Sequence, residues 1–202
     1  MIKILNNKIY CRIDNELELL ILPLLLERFD RIEMKIVRNI YSKKDGKFLD
    51  RVETYAKIIV EKVNLEKMRV IGKIEEVAND RVQKGFHGED LKIGKEIIIE
   101  KKNLREEVRL ILEKMNSFEF LKNFNLNKVL SESPSKFVTD LNKVDESIEY
   151  GIIEKLIICK EEFFNNLDRI LKALKKGAKI LIISDGDFCK KIKIASILRF
   201  EY

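Results

Sequence analysis

The feature that most restricts this chain is a change in its hydrophobic period near residue 103. Before that point the apolar residues sit in strand-like runs. After it they recur every three to four residues, and then strands and helices alternate. A chain of 202 residues has room for one large domain or two small ones, each able to bury its own core.

In the first half, "IKIL" and "KIYCRI" flank Asn6-Asn7, a pair suited to a tight hairpin. Asp14 is placed to cap a short helix, "NELELLILPLLLE", which Pro23 should kink or restart. Strand-rich runs follow at Arg31–Tyr41, Arg51–Val63, Met68–Val77 and Lys95–Lys101. Around Glu33–Arg38 the alternation is imperfect and does not identify the buried face. Several strands and one short helix in about a hundred residues point to a small closed or half-closed β-barrel.

Past Asn103, Leu104, Val108, Ile111, Leu112 and Met115 mark one face of an amphipathic helix. Ser117–Leu130, with Phe118, Phe120 and Phe124, reads as a second helix, and "SESPS" around Pro134 is the most linker-like stretch. A helix over Val144 and Ile148 then leads into the apolar strand "EKLIIC". Phe163, Phe164, Leu167, Ile170, Leu171 and Leu174 mark another helix, which Gly177 stops in a left-handed conformation. The strand "AKILIIS", a short loop and the strand "KIASILRF" complete the chain. Continuous apolar strands between helices require a sheet covered on both faces. The expected fold is α+β with two domains: a β-barrel over 1–103, a helical connector over 104–134 and an α/β unit over 135–202.

The net charge of +6, with a pI near 9.0, admits an anionic partner but not a polybasic wrapper. In "KIVRNIYSKKDGKFLDR", Lys35, Arg38, Lys43, Lys44, Lys47 and Arg51 face only Asp45 and Asp50, a surplus of four. The whole stretch Met1–Asn103, with 22 basic and 18 acidic residues, has that same surplus, so the excess sits on one hairpin. Long basic side chains there can meet phosphates, with Tyr41 or Phe48 to stack on a base. The plainer alternative is a solvated hairpin whose charges blunt a sheet edge.

Catalytic signals are thin. His87, the only histidine, stands between Gly85 and Gly88 and just before Glu89 and Asp90. A nuclease would need a general base or converging carboxylates. These three residues fit no recognised ligand spacing, and the glycines make a turn the simpler reading. "SDGD" at Ser184–Asp187 reads as a strand exit that caps a helix. No phosphate-binding loop, nucleophile elbow or zinc knuckle is present. Cys11, Cys159 and Cys189 are far apart and match no metal spacing; their odd, sparse count fits a reducing cytosol. The longest apolar run, Leu19–Leu26, contains Pro23 and falls well short of the ~20 residues of a membrane span. With no basic-then-apolar leader, the expectation is a soluble cytoplasmic protein.

"VDESIEYGIIEKLIICKEEFF" and "KKIKIASILRFEY" resemble the third domain of the class 1 release factor and pelota superfamily. The second stretch is similar to its closing Gly-Ile-Ala-Ala-Ile-Leu-Arg-Tyr strand. The first half resembles the pelota N-terminal domain in order: "MIKIL", an apolar helix, "FDRIEMKIVRNI", "EKMRVIGKIEE" and "GFHGEDLKIGKEIIIEKK". His87 falls where that family has a Tyr/His-His-Thr turn. There are departures. Only Leu104–Pro134 stands where a full pelota carries a central domain. Thr139-Asp140 replaces a Tyr-Gly, Lys193 replaces the glycine opening the last strand, and the loop after "LIIS" is short. The likeness is thus to a minimal homologue.

The resemblance implies an Sm-like N-terminal barrel that enters the decoding site of stalled ribosomes, with the segment from Lys35 to Arg51 toward RNA. It implies a third-domain-like sandwich that binds an elongation-factor-like translational GTPase and then an ABC-type recycling ATPase. The function so implied is ribosome rescue and mRNA surveillance by a cytoplasmic monomer that needs no cofactor to bind and no membrane. No Gly-Gly-Gln occurs, which argues against peptide release. The alternatives are a divalent-metal-dependent endoribonuclease in no-go mRNA decay, with His87, Glu89 and Asp90 as candidates, and a non-enzymatic interaction module.

Overall fold

The computed structural model describes residues 1–42, 44–101, 104–132, 134–184 and 186–201. The chain divides into two compact units, Met1–Leu104 and Arg105–Tyr202.

The first unit opens with β1 (Ile2–Leu5) and β2 (Lys8–Arg12), an antiparallel hairpin. Its two central residues, Asn6 and Asn7, both take positive φ, 48° and 61°, as the tight turn that matches strand twist requires. Helix α1 (Glu16–Leu25) is capped by Asn15, not Asp14: the Asn15 carboxamide oxygen accepts from the Glu18 amide at 2.9 Å. Asp14 instead receives the amino terminus at 3.0 Å and Arg12 at 2.9 Å. Pro23 does not restart the helix. It lies in the last turn, and the helix ends at Leu25.

Five further strands follow: β3 (Arg31–Tyr41), β4 (Phe48–Asn64), β5 (Arg69–Val77), β6 (Phe86–Asp90) and β7 (Glu96–Glu100). With the opening pair they form one curled antiparallel sheet, ordered β1-β2-β7-β3-β4-β5-β6. It is a half-barrel, with β1 and β6 as its edges. Strict alternation sets the inner face: Ile32, Met34 and Ile36 of β3 and Ala56, Ile58 and Val60 of β4 are buried. So are Ile97 and Ile99 of β7, and α1 adds Leu20, Ile21, Leu22 and Leu25. The long β4 slips register against β5 twice, at Lys57/Ile58 and at Val60/Lys62. Each slip bends the strand and tightens its twist. Gly72 makes this possible, because a Cβ there would lie 2.3 Å from the Ile59 carbonyl oxygen.

One expectation is corrected here. The glycine-flanked stretch around His87 is not a turn; it is β6, with His87 opposite Gly72. Backbone pairing to β5 prevails over local glycine content. Gly88 serves packing, since Arg69 lies where its side chain would be.

The second unit contains α2 (Glu106–Glu113), β8 (Phe118–Leu121), α3 (Leu126–Glu132), β9 (Phe137–Val138) and α4 (Leu141–Glu149). It continues with β10 (Ile153–Cys159), α5 (Leu167–Lys175), β11 (Lys179–Ile183), α6 (Gly186–Lys191) and β12 (Ile194–Leu198). The sheet order is β8-β11-β10-β12-β9, parallel through β8, β11 and β10 and antiparallel beyond. Both faces are covered, as the apolar strands require. Ile157, Cys159, Leu181 and Ile183 pack with Phe188 of α6 on one side. Leu156, Ile158, Ile180 and Ile182 are equally buried on the other, where α4 and α5 lie. Arg169 of α5 grips both carboxylate oxygens of Asp145 on α4, at 2.6 and 2.9 Å. That fork holds Asp145 below the usual carboxylate range, chiefly through the hydrogen bond.

Two more expectations change. Ser117–Leu130 is not one helix: Phe118–Leu121 is a strand paired with β11, and α3 begins only at Leu126. Phe118 and Phe120 are two residues apart, a strand spacing that the helical signal before it obscured. The cysteines also depart from the sparse, unpaired pattern. Cys159, ending β10, and Cys189, on α6, form a disulfide with Cα atoms 5.7 Å apart. Of the linker-like and metal-like motifs, Ser133 and Asp185 lie outside the described residues. No described helix is long and apolar enough to cross a membrane.

Cys11 is buried, and burial pushes its thiol up to about 12. Thiol titration is expected to find no reactive group in the native oxidised protein, one in denaturant and all three after reduction. Reduction should lower stability by about 3.6 kcal/mol in a urea melt, as for a closed loop of this size. Gly72→Ala should cost about 2 kcal/mol or more in the same melt, because Ile59 is backbone and cannot swing aside.

Candidate nucleic-acid interface

The basic stretch forms the β3–β4 hairpin, paired from Arg31↔Ile59 out to Tyr41↔Phe48. Its tip is tied by the Ser42 amide on the Lys47 carbonyl (2.8 Å) and the Gly46 amide on the Ser42 carbonyl (3.0 Å), with Gly46 at φ +68°. Asp45 braces the turn by accepting from the Ser42 hydroxyl and the Lys47 amide, and these bonds lower its pKa.

Strand alternation divides the six basic residues. Lys35 and Arg51 are exposed on the outer face with Asn39, Glu53 and Tyr55, while Arg38 projects with Ile36 to the inner side. There its guanidinium donates to the Phe86 carbonyl at 3.3 Å. Lys35 pairs with Glu53 at 2.7 Å, a hydrogen bond that raises its pKa, and Lys47 pairs more loosely with Asp45 at 3.4 Å. Lys44 and Arg51 have no carboxylate partner among the described residues, and Lys43 lies outside them. Arg81, from the loop after β5, reaches Asp50 at 3.1 Å and so belongs to the same surface. Nothing in its local sequence distinguished it. Tyr41 and Phe48 meet edge to face at 6.1 Å, and both are more than half exposed, at 54% and 58%. Exposed aromatics beside cations are what sequence-tolerant binding of single-stranded nucleic acid uses.

The three catalytic candidates do not converge. His87 and Glu89 share the inward side of β6, with His87 Nε2 2.7 Å from Glu89 Oε2. Lys95 reaches the other Glu89 oxygen. Asp90 projects the opposite way and pairs with Arg69 at 3.1 Å. Burial raises the pKa of Glu89, but hydrogen bonds from His87 and Lys95 outweigh it and leave the carboxyl below its ordinary value. Among the described residues no group of three or more His, Cys, Asp or Glu side chains is arranged to hold a metal ion. The His87–Glu89–Lys95 cluster is a charge-compensated brace that fastens the edge strand to the loop before β7.

No family model and no curated protein matches this sequence. Solved structures do. Pelota of Archaeoglobus fulgidus has a TM-score of 0.60 at 14% identity, over 100% of this chain and 98% of that one. Archaeal Pelota in a model of its ribosome-bound form with ABCE1 has a TM-score of 0.58 at 12% identity, over 96% of each chain. Across its whole length the chain therefore has a Pelota-like fold.

Glu89 titrates below its unfolded value, so its contribution is complete above that value and is lost as pH falls through the folded pKa. Glu89→Gln should lower stability at pH 7 by roughly 3 kcal/mol, the cost of breaking a mostly buried charged pair. It should also flatten the acid limb of the stability–pH profile. Denaturant melts from pH 7 down to about pH 3 check both, with the wild-type loss centred below the ordinary glutamate value.

Proposed function

We propose that this chain is a Pelota-type ribosome rescue factor, acting by binding rather than by chemistry. The observation that carries the reading is the whole-chain likeness to archaeal Pelota, which includes a ribosome-bound form with ABCE1. In this reading the half-barrel is the Sm-like module. The run β7-β3-β4-β5-β6, preceded by α1, forms its five-stranded portion. The module presents the β3–β4 hairpin to RNA in the decoding region of a stalled ribosome. Lys35, Arg38, Lys44, Lys47 and Arg51 supply charge, joined by Arg81 from the neighbouring loop. The second unit docks an elongation-factor-like translational GTPase and afterwards an ABC-type recycling ATPase. Binding needs no cofactor.

The physical logic is electrostatic. The chain is only moderately basic, so its attraction for RNA is a local property of one projecting hairpin. Such an element finds phosphate quickly and lets the fold set the depth of insertion. A hairpin tied at its tip also loses little freedom on docking.

Co-sedimentation with stalled ribosomes, with and without the translational GTPase, tests the assignment; free protein in both arms would refute it. Replacing Lys44, Lys47 and Arg51 with Ala should weaken RNA binding at low salt. It should also reduce the slope of log K against log salt by about 2, since each single-strand phosphate contact contributes roughly 0.7. An unchanged slope would remove the hairpin from the interface.

A further inference from the structure

β10 ends in Cys159 and α6 carries Cys189, joined as a disulfide across 30 residues of chain. Helix α6 spans only Gly186–Lys191, well short of the roughly 12–15 residues at which an isolated helix becomes even marginal. Its place against the sheet is therefore set by tertiary ties. Among its described side chains Phe188 alone is buried, at 3% exposure, and it meets Phe124 edge to face at 5.0 Å. The disulfide is the covalent tie. The chain is also fixed on either side of α6. The Ser184 amide bonds the Leu121 carbonyl at 3.2 Å, and the Cys159 amide bonds the Lys193 carbonyl at 3.0 Å.

The two sulfurs differ in access. Cys159 is 1% exposed, enclosed with Ile157, Leu181 and Ile183, whereas Cys189 is only partly buried against that cluster. Each also has a backbone carbonyl nearby. The Ile192 oxygen lies 3.5 Å from Cys159 Sγ, and the Ile183 oxygen lies 3.7 Å from Cys189 Sγ. A thiol at either position thus has an acceptor, and opening the bond orphans no S–H group. The strands beneath are held without it. β10 pairs with β11 from Lys155↔Lys179 to Cys159↔Ile183, and with β12 on its other side.

We infer that the Cys159–Cys189 bond is a thiol–disulfide exchange site, through which a dithiol reductant reversibly frees α6 from the sheet. The first thiolate of the reductant bonds to the accessible Cys189 Sγ as the Cys159–Cys189 bond breaks, and Cys159 leaves as a thiolate that takes a proton from water. The second thiol of the reductant then attacks its own mixed-disulfide sulfur and releases Cys189 as a thiol. Two electrons pass to the protein, and the reductant departs as a disulfide. A disulfide oxidant reverses both steps. With the bond open, Phe188 is the one buried anchor among the described side chains of α6, and the segment between Ser184 and Lys193 opens more often over Phe124 and Leu181. Disulfides inside cells, where thiols are abundant, are usually transient or redox-sensing. The site is independent of the hairpin and of its RNA partner.

Dithiothreitol is the probe, and the full chain is used throughout. Reduction of the native protein, stopped with N-ethylmaleimide, should proceed at a rate proportional to dithiothreitol and unchanged by urea below the unfolding transition. A rate that rises with urea in step with global unfolding overturns the site, because the bond then opens only when the unit does. Hydrogen exchange read by mass spectrometry follows the helix. Amides of α6 should exchange about tenfold faster in the reduced protein, while those of β10 and β11 keep their protection. Equal acceleration across the second unit would make the bond a simple staple, and no change in α6 would make it idle; either overturns the inference. Cys189→Ser, at the partly exposed position, should show the reduced pattern with or without dithiothreitol. Protection of α6 in that variant equal to the oxidised wild type overturns it as well.

Discussion

The first unit depends on how closely β5 approaches β4. Gly72 brings its backbone to where any side chain would strike Ile59, and β4 slips register on either side of that contact. The two slips curl an otherwise flat antiparallel sheet. From the curl come an inner face that α1 can help fill, a β6 edge that turns His87 and Glu89 inward, and a hairpin that outruns the core. A flat sheet with the same pairing order would leave Ile32, Met34, Ile36 and Ile58 without a common interior.

The projecting hairpin shows how folding redistributes charge. In the sequence its six cations form one cluster, but alternation sends Lys35 and Arg51 to one face and Arg38 to the other. Glu53, outside the basic stretch, partly compensates Lys35, while Arg81 arrives from a distant loop and engages Asp50. The surface that results is less uniformly cationic and more structured than the composition suggests. Its inner side carries Arg38, bonded to the Phe86 carbonyl, and the Arg81–Asp50 pair.

The second unit solves a different problem. Its central strands are apolar on both faces, so its stability rests on two helical layers held in register. The Arg169–Asp145 fork joins α4 and α5 on one side. Phe188 and the Cys159–Cys189 bond fasten α6 on the other.

The sequence by itself determined the change from a strand-rich half to an α/β half, the Asn6-Asn7 turn, the limits of β3 and the doubly covered sheet. All of these follow from local periodicity or from the conformational freedom of one or two residues. It also located the charge surplus, a matter of counting. Only the tertiary structure decided that Phe86–Asp90 and Phe118–Leu121 are strands. Both are short edge strands, and an edge strand is defined by the neighbour it pairs with rather than by its own pattern. The same holds for the disulfide, for Asn15 rather than Asp14 at the cap, and for the pairing of Arg81 with Asp50 on the hairpin. Hydrophobic period acts over a few residues, whereas strand pairing, curl and convergence of side chains depend on contacts between segments tens of residues apart, which no local stretch encodes.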